Sequence, residues 1–354
     1  MFQLNKIVKF LLGLGILTFG GFLLLQVPSV QDRLLENAIP NLVQDNMPKE
    51  DALSAIVCGS RSPLPHSSRD EACILVIAGK NIYVIDTGAG SANNVNQWAI
   101  PANRIKAVLL THLHSDHIAD LPNFHMSTWI NNRPSQLDVY GPEGLESVVQ
   151  GFEDAYSLDY AFRNAHHGDA IAPLAVAGMK AHTIDLNNPV IIESDDLSIQ
   201  AFEVEHHPVK PALGYRFDYK GRSIVISGDT SASQNLTDHS RNADVLFHEA
   251  QANHILKPLR EFMLENGRTS QAKILDDITT YHTTPVEAAA IAKEANVKHL
   301  VFYHLTPAPR NTIMERVFTR GVEEIFPEDW TMAKDGLLVS LPTGSDDINI
   351  SYLD

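Results

Sequence analysis

Four residues in one short segment have the types and spacing needed to bind metal ions. His112, His114, Asp116 and His117 belong to the segment THLHSDH at positions 111–117, directly after the apolar run Ile105–Leu110. A strand that ends at this point delivers the following loop to the edge of a sheet. Imidazole and carboxylate groups are the ligands expected for zinc at a hydrolytic site. The segment therefore predicts a metal site that activates water.

Further polar groups follow other predicted strands and supply ligands that one loop cannot provide. Four ligands from a single loop do not complete the coordination shells of two metal ions. We predict strands over Ile199–Val204, Ile224–Ile226, Val245–Phe247 and Leu300–Tyr303. The groups that follow these strands, or precede the helix predicted from Pro285, are Glu205, His206, His207, Asp229, His248, Glu249, His282 and His304. We expect them to converge on segment 111–117 at the rim of a cavity.

The order of these motifs resembles the ribonuclease Z-like branch of the metallo-β-lactamase superfamily. The segments that carry the resemblance lie between residues 53 and 341 and read THLHSDHIADLP, VYGPEG, VEHHPVKPALGYRF, ISGDT, FHEA, YHTTPVEAAAIAKEA and FYHLTP. The resemblance implies an α/β fold, an αββα sandwich with the site along one edge of the paired sheets. It also implies two zinc ions, with manganese or iron as alternatives.

The resemblance implies two ligand sets that share one carboxylate. These sets are His112, His114 and His206 for one zinc, Asp116, His117 and His304 for the other, and Asp229 as the bridge. We choose His206 over His207 because His206 directly follows the acidic residue of the family's V-[DE]-H pattern. His207 is then expected to line the pocket.

Two adjacent metal ions lower the pKa of a shared water towards neutrality, so we predict hydrolysis of an ester-type bond. Asp116 is expected to bind metal and to orient the hydroxide. His282 is the candidate general acid, or a group that binds a substrate oxygen, with Glu249 or His248 fixing its tautomer. The alternative for His282 is a histidine in the cap region of the following helix.

Three functions fit these residues. The first is hydrolysis of a small or extended ester (a phosphodiester, sulfate ester or lactone), the second is tRNA 3′-end endoribonuclease activity, and the third is non-catalytic binding. The complete ligand set argues against the third. The formal net charge of −16 predicts repulsion of polyanions, and the sequence lacks the basic, Gly/Pro-rich arm that the resemblance implies for tRNA binding. We therefore prefer the first function and expect no nucleic-acid partner; a homo-oligomer stays open.

The first 27 residues predict a membrane anchor. Residues 1–9 contain Lys6 and Lys9, and residues 10–27 form an uncharged apolar run that is long enough to cross a bilayer. The positive-inside rule places residues 1–9 in the cytoplasm and the rest on the extracytoplasmic (periplasmic) side. A cleaved signal peptide, which would give a secreted protein, is the alternative. Residues 28–50 then form a linker, and residues 51–354 form the hydrolase domain.

Two features outside the motifs, the cysteines and the segment 157–195, also lead to structural predictions. Cys58 and Cys73 are the two cysteines of the chain, and they are either two buried thiols or one disulfide between adjacent strands. Residues 157–195 are predicted to form a loop-rich surface excursion.

Overall fold

The computed structural model describes residues 18–19, 21–42, 47–194, 196–327 and 329–353. It divides the chain into a unit from Met1 to Asn46 and a unit from Met47 to Asp354. In the first unit, part of the predicted linker is a helix, α1, at Pro28–Leu42. Residues 1–17 and 20 of the predicted n-region and anchor lie outside the described residues. Among the described residues, no helix combines the length and apolarity that a membrane crossing requires, so the structure gives no support to the anchor.

The strands of the second unit form where the sequence has short apolar runs. Their bounds are β1 Ala52–Gly59, β2 Cys73–Ala78, β3 Asn81–Ile85, β4 Ile105–Leu109, β5 Leu137–Gly141, β6 Met179–Thr183, β7 Val190–Glu193, β8 Leu197–His206, β9 Val209–Tyr219, β10 Arg222–Ile226, β11 Val245–Gln251, β12 His299–Thr306, β13 Trp330–Met332, β14 Leu337–Pro342 and β15 Asn349–Tyr352. One sheet has the order β15-β14-β1-β2-β3-β4-β5-β6, and the other has the order β13-β12-β11-β10-β9-β8-β7. Strands β1 and β2 are buried along their whole length, as expected where both faces of a sheet are covered.

The helices of the second unit are α2 Ser91–Gln97, α3 Ser115–Ile118, α4 Leu121–Ile130, α5 Leu145–His167, α6 Gln234–His239, α7 Asn253–Glu265, α8 Thr269–Asp277, α9 Pro285–Glu294 and α10 Thr312–Phe318. Helices α2, α4 and α5 pack on the outer face of the first sheet, and α6 and α9 pack on that of the second. The central core lies between the sheets and includes Leu53 and Phe217. Separate apolar clusters join β2 to α4 and β11 to α9. These layers form the predicted αββα sandwich.

Parallel pairing within both sheets brings the ends of strands together at one edge. In the first sheet β3 pairs in parallel with β4. In the second sheet β10, β11 and β12 are parallel to one another. The carboxyl ends of parallel neighbours lie at the same edge, where open α/β sheets bind ligands. The motif residues that follow these strands are therefore placed side by side.

The prediction of a loop-rich excursion over residues 157–195 is wrong. Helix α5 continues to His167 and ends at Gly168, which has a positive φ of 69°. Beyond it, β6 and β7 add one edge strand to each sheet. The helix continues because no glycine or proline interrupts the sequence between Gly151 and Gly168. The sequence SLDYAFRNAHH contains exposed apolar residues, such as Leu158 and Phe162, that obscured its helical pattern.

Cys58 and Cys73 form a disulfide that closes the loop between β1 and β2. The two cysteines are 15 positions apart, and cross-linking a loop of this size removes chain entropy from the unfolded state. The structure thus settles the alternative that the sequence left open.

Reduction of this disulfide is expected to lower the free energy of unfolding by about 3 kcal/mol. Urea unfolding of the protein with and without dithiothreitol measures this difference. The variant C58A/C73A is the control, because dithiothreitol should not change its unfolding midpoint. Identical midpoints for the oxidised and reduced protein would show that the disulfide does not contribute to stability.

Candidate metal centre

The loop after β4 carries the first four candidate ligands into the edge between the sheets. His112 and His117 are fully buried, whereas His114 is exposed. Asp116 and His117 belong to the short helix α3, which turns the chain back after His114. His112 Nε2 lies 2.9 Å from His114 Nδ1, so the two imidazoles converge on a shared point.

The ligands from the other strands reach the same place. In the triad of His112, His114 and His206, the candidate ligand atoms lie within 4.8 Å of one another. The same is true of the triad of Asp116, His117 and His304. Asp229 lies between the triads, since its Oδ2 is 3.3 Å from His117 Nε2 and 3.9 Å from His112 Nε2. The structure therefore brings together all seven residues that the sequence analysis proposed as ligands.

The electrostatic state of these side chains suits cation binding. Burial lowers the pKa of His112, His114 and His206, so these imidazoles are neutral at pH 7 and can donate a lone pair. Burial opposes ionisation of Asp116, but the charges of His117 and His304 hold the pKa of this carboxyl at about 2. Three imidazoles are thus neutral beside ionised carboxylates. Burial opposes a charge on His117, but Asp229, Asp86 and Asp116 outweigh it and raise the pKa of His117, so this residue would release its proton when it binds a cation.

Unsatisfied polar atoms test whether metal ions fit. Nε2 of His117, Oδ1 of Asp229 and Nδ1 of His304 are buried without a hydrogen-bond partner among the described residues. A buried polar atom without a partner costs about 1–3 kcal/mol, and a bound cation would satisfy such atoms. The arrangement fits two divalent cations with nitrogen and oxygen ligands.

Two residues of the site have a backbone conformation that residues other than glycine rarely adopt. Asp86 has φ of 56° and His304 has φ of 43°. For a residue other than glycine this left-handed conformation costs on the order of 1–3 kcal/mol and is concentrated at functional sites. In this conformation the His304 side chain faces Asp229, and the Asp86 side chain reaches His117.

A second pair of side chains lies beside the proposed metal ligands. His282 Nδ1 is 2.9 Å from Glu249 Oε1, and this oxygen also accepts a hydrogen bond from the backbone N–H of Thr283 at 3.0 Å. Burial opposes the imidazolium, but the carboxylates of Glu249, Asp229 and Asp116 raise the pKa of His282 to about 9. His282 is therefore held in a fixed orientation with a proton to donate.

Glu249 is the residue that holds His282. His248, the alternative from the sequence, is fully buried and directs Nδ1 to the backbone carbonyl of Glu249 at 2.7 Å. Consecutive residues of β11 point to opposite faces of the sheet, so only one of these two can reach the site.

A cavity of about 240 Å³ opens over the metal centre. His114, Asp116, His206, Asp229, His282 and His304 line it. Ser62 and Thr306 also line it, and Pro63, Leu64, Ile274, Ile278 and Tyr281 form the rest of the wall. Sequence reasoning missed these last five because apolar residues carry no chemical signal. His207 is exposed and is not part of this lining, contrary to the prediction that it lines the pocket.

Sequence reasoning also missed Asp86, which supports the metal loop from behind. Its Oδ2 lies 2.8 Å from His117 Nδ1 and accepts a hydrogen bond from Thr111 Oγ1 at 2.8 Å. Its Oδ1 accepts one from the backbone N–H of Thr111 at 2.8 Å. The available signal was its position at the end of β3, the parallel neighbour of β4. Carboxylates in this position fix the tautomer and orientation of a ligating histidine.

Replacing Asp86 by alanine is expected to weaken metal affinity or activity by about 10–100-fold. The physical reason is the loss of the acceptor that holds the His117 ring. Zinc titration with a competing chelator measures the affinity. Asp218→Ala serves as the matched control, since Asp218 forms an ion pair with Arg216 on β9 at 2.8 Å; unchanged affinity in Asp86→Ala would contradict the supporting role.

An αββα sandwich with a cluster of potential metal ligands, histidines and aspartates, at its edge is the architecture of a metal-dependent hydrolase. The model of the beta-lactamase superfamily domain matches residues 81–305. Ribonuclease Z from Mycolicibacterium paratuberculosis is 33% identical over 259 residues, which cover 72% of this chain and 87% of the relative. Ribonuclease Z from Mycobacterium marinum is 33% identical over 253 residues, covering 71% and 85%. The chain belongs to the metallo-β-lactamase superfamily and to its ribonuclease Z-like branch.

Solved structures agree on the fold. A metallo-β-lactamase fold protein from Bacillus subtilis superposes with a TM-score of 0.60 at 19% identity, covering 82% of this chain and 100% of that chain. The short form of human tRNase Z superposes with a TM-score of 0.59 at 20% identity, again covering 82% and 100%. These similarities support the αββα architecture.

Proposed function

We propose that the protein is a binuclear zinc phosphodiesterase with ribonuclease Z-type activity. The observation that carries the proposal is the cluster of two ligand triads and Asp229 beside the His282–Glu249 pair. Members of both triads, Asp229 and His282 line one cavity. The curated relatives named ribonuclease Z support RNA as the substrate, and they favour this alternative over the generic ester hydrolase that we preferred from the sequence.

The residues have separate tasks in such a reaction. Zinc ions held by the two triads and Asp229 would supply a water of lowered pKa and would polarise a phosphoryl oxygen. Asp116 remains ionised and accepts a hydrogen bond that orients the attacking water. His282 donates a proton to the leaving oxygen, and Glu249 stabilises the imidazolium before the transfer.

A substrate panel tests the proposal on the full-length, zinc-loaded protein. The panel contains a precursor tRNA with a 3′ trailer, bis(p-nitrophenyl) phosphate, p-nitrophenyl sulfate and a simple lactone. We expect cleavage of both phosphodiesters and loss of both activities in His114→Ala. Hydrolysis of the sulfate or the lactone alone would overturn the assignment to phosphodiesters.

We also propose that the catalytic unit lies outside the cytoplasm. The support comes from the Cys58–Cys73 disulfide, since such bonds persist in oxidising compartments, and from Lys6 and Lys9 ahead of an apolar segment. This location favours a second candidate function, hydrolysis of phosphodiesters other than precursor tRNA, because tRNA matures inside the cell.

Fusion of a reporter to the C-terminus separates these candidates. A reporter that is active only in the cytoplasm is expected to stay silent. An active reporter would place the unit in the cytoplasm and leave precursor tRNA as the preferred substrate.

A further inference from the structure

The cavity over the metal centre has an apolar part that the hydrolytic chemistry does not require. Pro63, Leu64, Ile274 and Ile278 line it together with the ring of Tyr281. No lysine or arginine is among the lining residues that the structure describes. A surface that binds successive phosphates of a polynucleotide uses such cations. This part of the cavity is therefore suited to an uncharged group of the substrate.

The loop between β1 and β2 holds one side of this wall in place. The disulfide closes the loop at its base, and the backbone N–H of Ser62 donates to the carbonyl of Leu305 at 3.4 Å. Leu305 in turn donates its N–H to the carbonyl of Ser60 at 3.0 Å. Because Leu305 follows His304 directly, Leu64 has a fixed position relative to a proposed metal ligand.

Helix α8 and the turn after it hold the other side. Leu275 is buried and anchors the helix, whereas Ile274 remains 56% exposed at the cavity. Gln251 Nε2 donates to the backbone carbonyl of Ile278 at 2.9 Å. The turn then leads to Tyr281, whose backbone carbonyl lies 3.1 Å from His206 Nδ1. Both sides of the wall are thus tied to the proposed ligands and are preorganised.

We propose that this wall binds a planar aromatic ring, a nucleobase or an aryl group, in the part of the substrate that stays attached to the phosphoryl group when the phosphodiester is cleaved. A cavity of about 240 Å³ lies below the range of roughly 300–1,000 Å³ typical for drug-sized ligands, so it accommodates one ring system beside the phosphoryl group. Leu64 and Ile278 are the specificity-determining residues, because they are partly buried at the wall. This inference rests on the proposed phosphodiesterase activity.

Two substrates that share the p-nitrophenyl leaving group and differ in the group retained on the phosphate test the inference. Thymidine 5′-(p-nitrophenyl phosphate) retains a nucleoside with its base, and methyl p-nitrophenyl phosphate retains only a methyl group. In Leu64→Ala and Ile278→Ala, we expect the kcat/KM ratio of the first substrate to the second to fall about tenfold or more. Ile313→Ala is the matched control, because Ile313 is 75% exposed and lies outside the cavity. An unchanged ratio in both cavity variants would overturn the inference.

Calorimetric binding separates this inference from the proposed function. Phenyl phosphate and thymidine 5′-monophosphate are each compared with methyl phosphate on the zinc-loaded full-length protein. We expect tighter binding of a ring-bearing phosphate, with the preference lost in Leu64→Ala, and the two ring ligands distinguish an aryl site from a nucleobase site. Equal affinities for all three ligands would refute the aromatic site even if hydrolysis occurs. A retained preference without hydrolysis would refute the phosphodiesterase alone.

Discussion

Replacing Asp229 by alanine is expected to reduce bound zinc from two ions to one or none per chain and to lower kcat/KM by about 10³-fold or more. Asp229 is 3% exposed, and its carboxylate oxygens lie 3.3 Å from His117 Nε2 and 3.4 Å from His304 Nδ1. It is also within 3.9 Å of His112 Nε2. No other carboxylate of the described cluster reaches both triads, so its loss removes the charge that neutralises two neighbouring cations.

Metal analysis and kinetics on the same preparation check this prediction. Asp229→Asn keeps the side-chain shape, so it shows the effect of losing the charge without the effect of losing side-chain volume. Circular dichroism checks that both variants fold. Asp238→Ala is the control, since Asp238 forms an exposed ion pair with Arg241 at 2.8 Å. Two zinc ions and wild-type kinetics in Asp229→Ala would exclude Asp229 as the bridge.

The positions of the proposed ligands followed from the sequence because a physical rule connects them. Histidines and acids that directly follow apolar strands must lie at strand ends, and parallel pairing brings such ends together. The rule worked for His206, Asp229 and His304, which are 89 or more positions beyond the end of the first loop. It also indicated that His282 is near the site, although it could not choose between Glu249 and His248. That choice depends on which face of β11 each side chain occupies.

The rest of the site depends on features that residue types do not report. The geometry of the loop and of the turn after α8 places Leu64 and Ile278 at the cavity. Leucine and isoleucine are also common core residues, so their type gave no sign of this position. Asp86 directly follows β3 without a histidine beside it, so its position indicated the edge of the sheet but not the contact with His117. The disulfide required the register of β1 against β2. Helix α5 extended beyond the prediction because no glycine or proline interrupts its second half, where exposed apolar residues obscured the helical pattern.

Replacing His282 by alanine is expected to lower kcat by about 10²–10⁴-fold on substrates with a poor leaving group. The loss should be much smaller with p-nitrophenyl substrates, because p-nitrophenolate departs without a proton. Zinc content should stay near that of the wild type, since His282 acts on the leaving oxygen in this mechanism. Rates on the precursor tRNA and on bis(p-nitrophenyl) phosphate give this comparison directly.

The pH profile distinguishes proton donation from a structural role. The Glu249 carboxylate outweighs the effect of burial and raises the pKa of His282 to about 9, so the wild-type kcat on the RNA substrate should fall as pH rises towards this value. Zinc bound beside Asp229 and Asp116 would offset their negative charge, so the fall in kcat should begin at a lower pH. Glu249→Gln should move this fall to a still lower pH because the partner of His282 loses its charge. His282→Ala should abolish the fall. Equal losses on both substrates, together with reduced zinc in His282→Ala, would instead identify His282 as a metal ligand.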